Sequence, residues 1–184
     1  MNRTQLVFKS ISEVVGGNGM AVVVLTDVDE QRAISIVCDN AAKWQIGMRT
    51  GGGTSSLMKF FPEVLCAMLA DCGSLDRYEI VIDDVVEGEY IASVICVNTG
   101  VRHGIRISDA VLLSMVSNIP MYIDSQLMQR QCSVYRKDTD RMAIPINALD
   151  TNRLRSELDK AVETENYRLA SLIKDELMRR NNGN

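Results

Sequence analysis

The residues best placed to act on a phosphate are Arg106, Ser108 and Asp109, in the run Arg106-Ile107-Ser108-Asp109-Ala110, where an apolar strand gives way to a helical period. An arginine there supplies positive charge. The first-turn amides and the Ser108 hydroxyl bind oxygen atoms, and Asp109 ligates a metal ion or takes a proton from water. Ordinary capping uses the same residues: Ser108 as N-cap accepts from the second or third helical amide, and Asp109 offsets the helix dipole. On residue types alone, capping is the stronger reading.

Other chemistry-bearing residues are weaker signals. Gly51-Gly52-Gly53 before Thr54-Ser55-Ser56 could cradle a phosphate, but it lacks the GK[ST] of a P-loop, and a connector with a Ser/Thr cap explains it equally well. Acidic side chains gather at Asp27/Asp29/Glu30, at Asp83/Asp84 and at Glu87/Glu89. Metal-assisted phosphodiester hydrolysis needs two or three converging carboxylates. Asp83 and Asp84, adjacent in a strand, point to opposite faces, and Asp27 to Glu30 reads as a solvated hairpin turn. His103 is the single histidine, so histidine-pair mechanisms are excluded, and on its strand it reads as a surface residue. Trp44 and Lys43 read as half-buried packing rather than a base-stacking platform.

The elements that must position these residues are legible from periodicity. Period-two, β-branched runs predict strands near 4–11, 20–27, 32–38, 78–86, 89–97 and 103–107, in hairpin-like pairs turning at Asp27–Gln31 and at Glu87-Gly88. Helical periods cover about 39–48, about 55–72 with Leu57, Phe61, Leu65, Met68 and Leu69 on one side, and about 108–118 with Ala110, Leu113, Met115 and Val116 inward. Pro62 implies a kink, or a helix that begins near Phe61. The class expected is α+β, a mixed or antiparallel sheet with packed helices, plus a C-terminal αα-hairpin over 151–180. In that hairpin Leu154, Leu158, Ala161 and Val162 share one face, Leu169, Ala170, Ile173 and Leu177 another, and Asn166 is the second helix's N-cap. Two short helices cannot bury both stripes in each other, so one stripe wants a partner.

A chain of 184 residues with 46% hydrophobic and 24% charged residues fits one domain plus an appendage and excludes wholesale disorder. The net charge of -4 excludes an evenly basic nucleic-acid binder. Residues 1–150 carry 18 acidic and 13 basic side chains, and residues 151–184 carry six and seven, so the acid excess sits on the body. Neither a secretory signal nor an 18-residue apolar run is recognisable, so a cytoplasmic protein without a membrane span is expected. The five cysteines, at unrelated spacings, are expected to be reduced, with Cys66 and Cys96 as core residues.

Taken in order and spacing, three features resemble the bifunctional nuclease domain over about residues 4–128. They are the run Arg32-Ala33-Ile34-Ser35-Ile36, the hairpin from Asp83 to Ala92, and Arg106 to Ala110 leading to Ile119-Pro120-Met121-Tyr122. The tail resembles a UVR motif through Leu154, Leu158, Ala161-Val162, Glu165-Asn166-Tyr167, Ala170 and Ile173 to Leu177. Residues 130–150, polar and irregular with Pro145 and no sustained period, read as a linker, and the resemblance implies a domain at 1–129 and a UVR-like hairpin at 151–184, an arrangement associated with bacterial proteins. It implies DNA or RNA phosphodiester hydrolysis, assisted by Mg²⁺ or Mn²⁺ without an organic cofactor, with Asp109, Ser108 and Arg106 as the catalytic residues. UVR motifs mediate protein–protein contacts and pair with each other in excision-repair subunits. Residues 151–180 are therefore expected to dock a UVR-type partner or a second copy, and the protein is expected to be a homo-oligomer.

Several positions depart from the family pattern. Gly104-Ile105-Arg106 stands where Asp-Ala-Arg is usual, Ile107 where proline is usual, Thr54-Ser55-Ser56 where Thr-His-Asp is common, and Asn40-Ala41 where Glu-Ala is usual. Except for the proline, these changes remove groups able to serve a metal or a proton transfer. A non-catalytic adaptor acting through the hairpin is therefore the competing expectation. Grouping of Arg106 with Arg49, Lys59 or Arg102 would favour hydrolysis, and burial against Asp83 or Asp84 would favour capping.

Overall fold

The chain, described over residues 2–14, 20–51, 54–135 and 146–181 of a computed structural model, has a mixed α+β fold. The strands are β1 (Arg3–Glu13), β2 (Ala21–Asp27), β3 (Arg32–Cys38), β4 (Tyr78–Val86), β5 (Glu89–Cys96), β6 (Arg102–Arg106), β7 (Met121–Asp124) and β8 (Ser133–Val134). They form one sheet in the order β6-β5-β4-β7-β1-β2-β3-β8, antiparallel throughout except for the parallel pair β4–β7. The helices are α1 (Asn40–Thr50), α2 (Phe61–Asp71), α3 (Ile107–Ser117), α4 (Ser125–Gln131), α5 (Thr151–Glu163) and α6 (Tyr167–Asn181). No helix among the described residues is long and apolar enough to cross a membrane.

Hairpin chemistry accounts for most of the pairing. The β4–β5 turn has positive φ at both central residues, Glu87 (51°) and Gly88 (82°), which is the twist-matched geometry for a two-residue hairpin. The β2–β3 turn differs from the solvated loop expected. Asp27 is only 6% exposed, because its carboxylate accepts from Gln31 N (2.8 Å), Arg32 N (3.1 Å) and Arg32 Nε (2.9 Å). β2 is buried on both faces, and its Val23 and Leu25 join Ile34, Ile36, Ile80, Ile82 and Ile123 in the core.

Strand β7 joins two meanders, β1–β2–β3 and β4–β5–β6, and α3 is the connection that reaches it. The chain leaves the sheet edge at β6 and must return three strands away, about 14 Å at the usual strand spacing. An 11-residue helix is about 16 Å long, so α3 spans that distance in one piece. Ile107, Ala110 and Val111 are buried beneath it, and α3 touches β3, β4, β5 and β6 alike. The sheet curls strongly. Arg106, ending β6, donates to Asp39, one residue past β3, at 2.7 Å, although these strands lie towards opposite edges.

Several local expectations are revised. The helix at Pro62 begins at Phe61 with the proline in its first turn, after a 3₁₀ segment at Thr54–Lys59. Gly52 and Gly53 of the glycine run lie outside the described residues. Of the apolar residues expected on one side of this segment, only Leu57 is buried, whereas Phe61, Leu65, Met68 and Leu69 are exposed. What α2 does bury is Cys66, together with one side of an ion pair: Glu63 accepts from Arg49 Nε and Nη2 at 2.7 and 2.6 Å, both side chains nearly covered. Residues 130–150 include the end of α4, the short β8 paired to β3, and a 3₁₀ turn at Ile146–Ala148 that touches β3 and α6. The helical pair α5–α6 packs through Leu154, Ala161, Ala170 and Ile173, and Asn166 Oδ1 accepts from Leu169 N at 3.3 Å as expected of the N-cap.

Burial works against ionisation of Asp27, but the bonds from Arg32 and Gln31 outweigh it and hold the carboxyl below its ordinary value of 3.8. A depressed carboxyl stabilises the fold above the unfolded-state pKa, and that stabilisation is lost as pH falls through the folded one. Asp27→Asn should therefore cost about 2 kcal/mol at neutral pH, as expected for charge-assisted bonds. The deficit should shrink as urea titrations are taken below about pH 4, where the wild type protonates as well.

Candidate functional site

Arg106 sits in extended backbone immediately before α3, where β6 ends. Its guanidinium is shared by two carboxylates. Nε and Nη2 donate to Asp109 Oδ2 and Oδ1 at 3.1 and 3.0 Å, and Nη1 donates to Asp39 Oδ2 at 2.7 Å. All three side chains are about half exposed. Asp39 is also the N-cap of α1, with Oδ1 accepting from Ala42 N at 2.8 Å. That backbone bond, aided by Arg106, holds the Asp39 carboxyl below its usual value. The bonds to Asp109 and then Asp39 push the Arg106 pKa up.

Ser108 does not cap the helix. The N-cap position of α3 is Arg106, which makes no side-chain capping bond, and Ser108 lies inside the first turn, 4% exposed. The start of α3 is thus uncapped by any side chain, which leaves amide donors and the positive end of the helix dipole beside Arg106. A cleft of about 230 Å³ opens there. Ile36, Cys38, Tyr90 and Ile107 line it among apolar residues, with Ser108, Arg106 and Arg153 among polar ones. Four acidic side chains, Asp39, Glu87, Glu89 and Asp150, complete its charged lining. Burial pushes both the Tyr90 hydroxyl and the Cys38 thiol up, Cys38 to about 11, so both stay protonated and neutral at neutral pH. The Tyr90 hydroxyl finds no hydrogen-bond partner among the described residues.

The other candidates lie elsewhere. Asp83 pairs with Arg102, and Asp84 accepts from Val85 N at 2.8 Å. Arg49 is spent on Glu63, and His103 is exposed on the edge strand β6. Arg106 is therefore neither grouped with other cations of the body nor buried against Asp83 or Asp84.

The expected Mg²⁺ or Mn²⁺ can be weighed against the donors present. Among the described residues no three His, Cys, Asp or Glu side chains converge. All four oxygens of Asp39 and Asp109 are engaged, three of them by a guanidinium that would repel a cation. So arranged, these residues do not fit a divalent ion.

The sequence model of the bifunctional nuclease domain matches residues 23–136, which include Asp39, Glu87, Arg106, Ser108 and Asp109. The chain belongs to the bifunctional nuclease domain family. No curated protein matches it significantly. Asp150 and Arg153, outside the matched segment, still line the cleft, so in this bifunctional nuclease domain protein the tail helps to wall the site. The junction is direct: Glu87 Oε2 accepts from Thr151 N, the first residue of α5, at 3.2 Å.

Asp39 and Arg153 escaped the sequence reading. An aspartate just before a helical period is a legible N-cap signal, but nothing in the sequence ties it to an arginine 67 residues away. Because the Arg106 pairs are half exposed, solvent screens them and they hold little of the fold together. Arg106→Met should change unfolding free energy by no more than about 1 kcal/mol in urea titrations, which makes the residue separable from structure in activity assays.

Proposed function

We propose that the protein hydrolyses nucleic-acid phosphodiester bonds slowly, in the cleft at the start of α3. The observation that carries this reading is the uncapped helix start beside a half-exposed Arg106. Two oxygens of a phosphate match the fork that Asp109 occupies on the guanidinium, so an incoming phosphodiester exchanges with that carboxylate. Arg106 then neutralises phosphate charge, the first-turn amides, including that of Ser108, donate to the remaining oxygens, and the displaced Asp109 accepts a proton from the attacking water as the bond from phosphorus to the leaving sugar oxygen breaks, that oxygen taking a proton from bulk water. Four acidic side chains against two basic ones oppose a polyanion, which is why turnover is slow. Five unpaired cysteines support a reducing, cytoplasmic setting.

Single- and double-stranded DNA and RNA, incubated with Mg²⁺, with Mn²⁺ and with EDTA, should be cut by the wild type. Arg106→Met should reduce the rate about 10²-fold, the usual cost of losing one charge-stabilising donor. Cleavage by Asp109→Ala at the wild-type rate would remove Asp109 from the mechanism, and absence of cleavage in every condition would overturn the reading.

The acid excess and the exposed Val162, Tyr167 and Leu172 of the hairpin favour a second reading, an adaptor whose UVR-like tail docks another UVR hairpin. Titration of the full chain with an isolated UVR hairpin should then show binding that Val162→Glu with Leu172→Glu abolishes. No binding by the wild type would exclude that partner.

A further inference from the structure

Arg153 enters the cleft from α5, beyond the matched family segment, and its guanidinium is only weakly engaged. Among the described residues Nη1 donates to the Met20 thioether at 3.3 Å, and Nε forms a long ion pair, 3.4 Å, with Asp150 Oδ2. A thioether is a weak acceptor, so the fork of donors is available to a better one. The fold has little use for the charge. Arg153 is the third residue of α5, in the first turn, where the helix dipole disfavours a cation. Its pairing with Asp150, about half exposed on both sides, is screened by solvent and contributes little to stability. Arg106 contrasts with it, because carboxylates hold both sides of that guanidinium and a ligand must displace one of them.

The size of the cleft decides how the two arginines are used. At about 230 Å³ it falls below the roughly 300–1,000 Å³ of ordinary small-molecule pockets, so it admits part of one ligand rather than two ligands side by side. A phosphodiester has two non-bridging oxygens, and in the proposed hydrolysis Arg106 and the first-turn amides of α3 engage both. Arg153 is then left for a second anionic group on the same ligand. In a nucleic acid that group is the neighbouring phosphate, since each link of the strand repeats the charge. Four acidic side chains around the cleft also make one phosphate contact a weak hold, and a second cation offsets part of that repulsion.

We propose that Arg153 binds the phosphate next to the one at Arg106, so that the substrate class is an oligonucleotide with at least two successive phosphates, held jointly by the body and the tail. This rests on the proposed hydrolysis for the first phosphate at Arg106. Binding in EDTA tests it without turnover. Fluorescence anisotropy of the full chain with a labelled single-stranded thymidine decamer should show Arg153→Gln binding several-fold more weakly at low salt. The slope of log K against log salt should fall by about 0.7, as for one lost phosphate contact on a single strand. Arg153→Lys should keep the wild-type slope. A thymidine dinucleotide, which carries one phosphate, should bind Arg153→Gln as it binds the wild type in NMR titrations, whereas Arg106→Met should weaken both probes. An unchanged slope in Arg153→Gln would overturn the proposal, as would an equal loss on the dinucleotide, which would put both arginines on one phosphate. Hydrolysis is read separately with Mg²⁺ or Mn²⁺ added: a decamer bound with the expected slopes but left uncut would overturn the hydrolysis and support the Arg153 contact.

Discussion

The fold depends on one topological constraint: a four-residue strand, β7, must enter the middle of the sheet after the chain has finished at its edge. Pairing β7 parallel to β4 and antiparallel to β1 is what turns two meanders into one sheet. A parallel partner cannot be reached by a tight turn, so the return is a crossover, and α3 supplies it. The helix must then start at the edge strand β6. Its first turn, with the amides that no side chain caps, is thereby delivered to the rim where the curled sheet brings β3 and the β4–β5 turn close. The position of the cleft is a consequence of how β7 is inserted.

The electrostatics of that rim follow from the same convergence. Three chain segments meet there, and each contributes what its own local structure requires: Asp39 caps α1, Asp150 caps α5, and Glu87 receives the first amide of α5. The carboxylates are structural in origin, yet together they set the potential at Arg106. This explains how a family associated with nucleic acid can present an acidic opening here, and why the guanidinium is held by carboxylates. The tail takes part, since Asp150 and Arg153 line the cleft from beyond the matched family segment and Thr151 N donates to Glu87.

Local chemistry was legible in the sequence, and convergence was not. β3 and β4 lie where period-two alternation put them, and Pro62 marked the true start of α2, because alternation and proline sterics act within a few residues. β7 and α4 were missed as elements: a four-residue strand has too few positions to establish a period. The α2 stripe is exposed, since helical spacing records which side is apolar and not what covers it. At the site, Arg106 and Asp109 were found because they are neighbours in sequence, and Ser108 was given a cap it does not form because α3 begins one residue earlier than its apolar period. Asp39 required knowledge of the sheet's curl.

The departures from the family pattern acquire meaning from where they fall. Gly104 lies two residues before Arg106 on the same strand, hence on the same face, with open space where a Cβ would stand. A carboxylate at that position would stand beside the guanidinium. Asn40, the first residue of α1, adjoins Asp39, so an acidic residue there would add a second negative charge beside the same arginine. Glycine and asparagine at these places remove potential metal ligands and, by the same step, reduce the repulsion a phosphate meets. The two effects act on different capacities: fewer carboxylates stand ready to hold a cation, and less negative charge faces the anion that the proposed function brings to Arg106. In the proposed hydrolysis, Asp109, which already occupies the guanidinium fork, is the carboxylate that an incoming phosphate displaces.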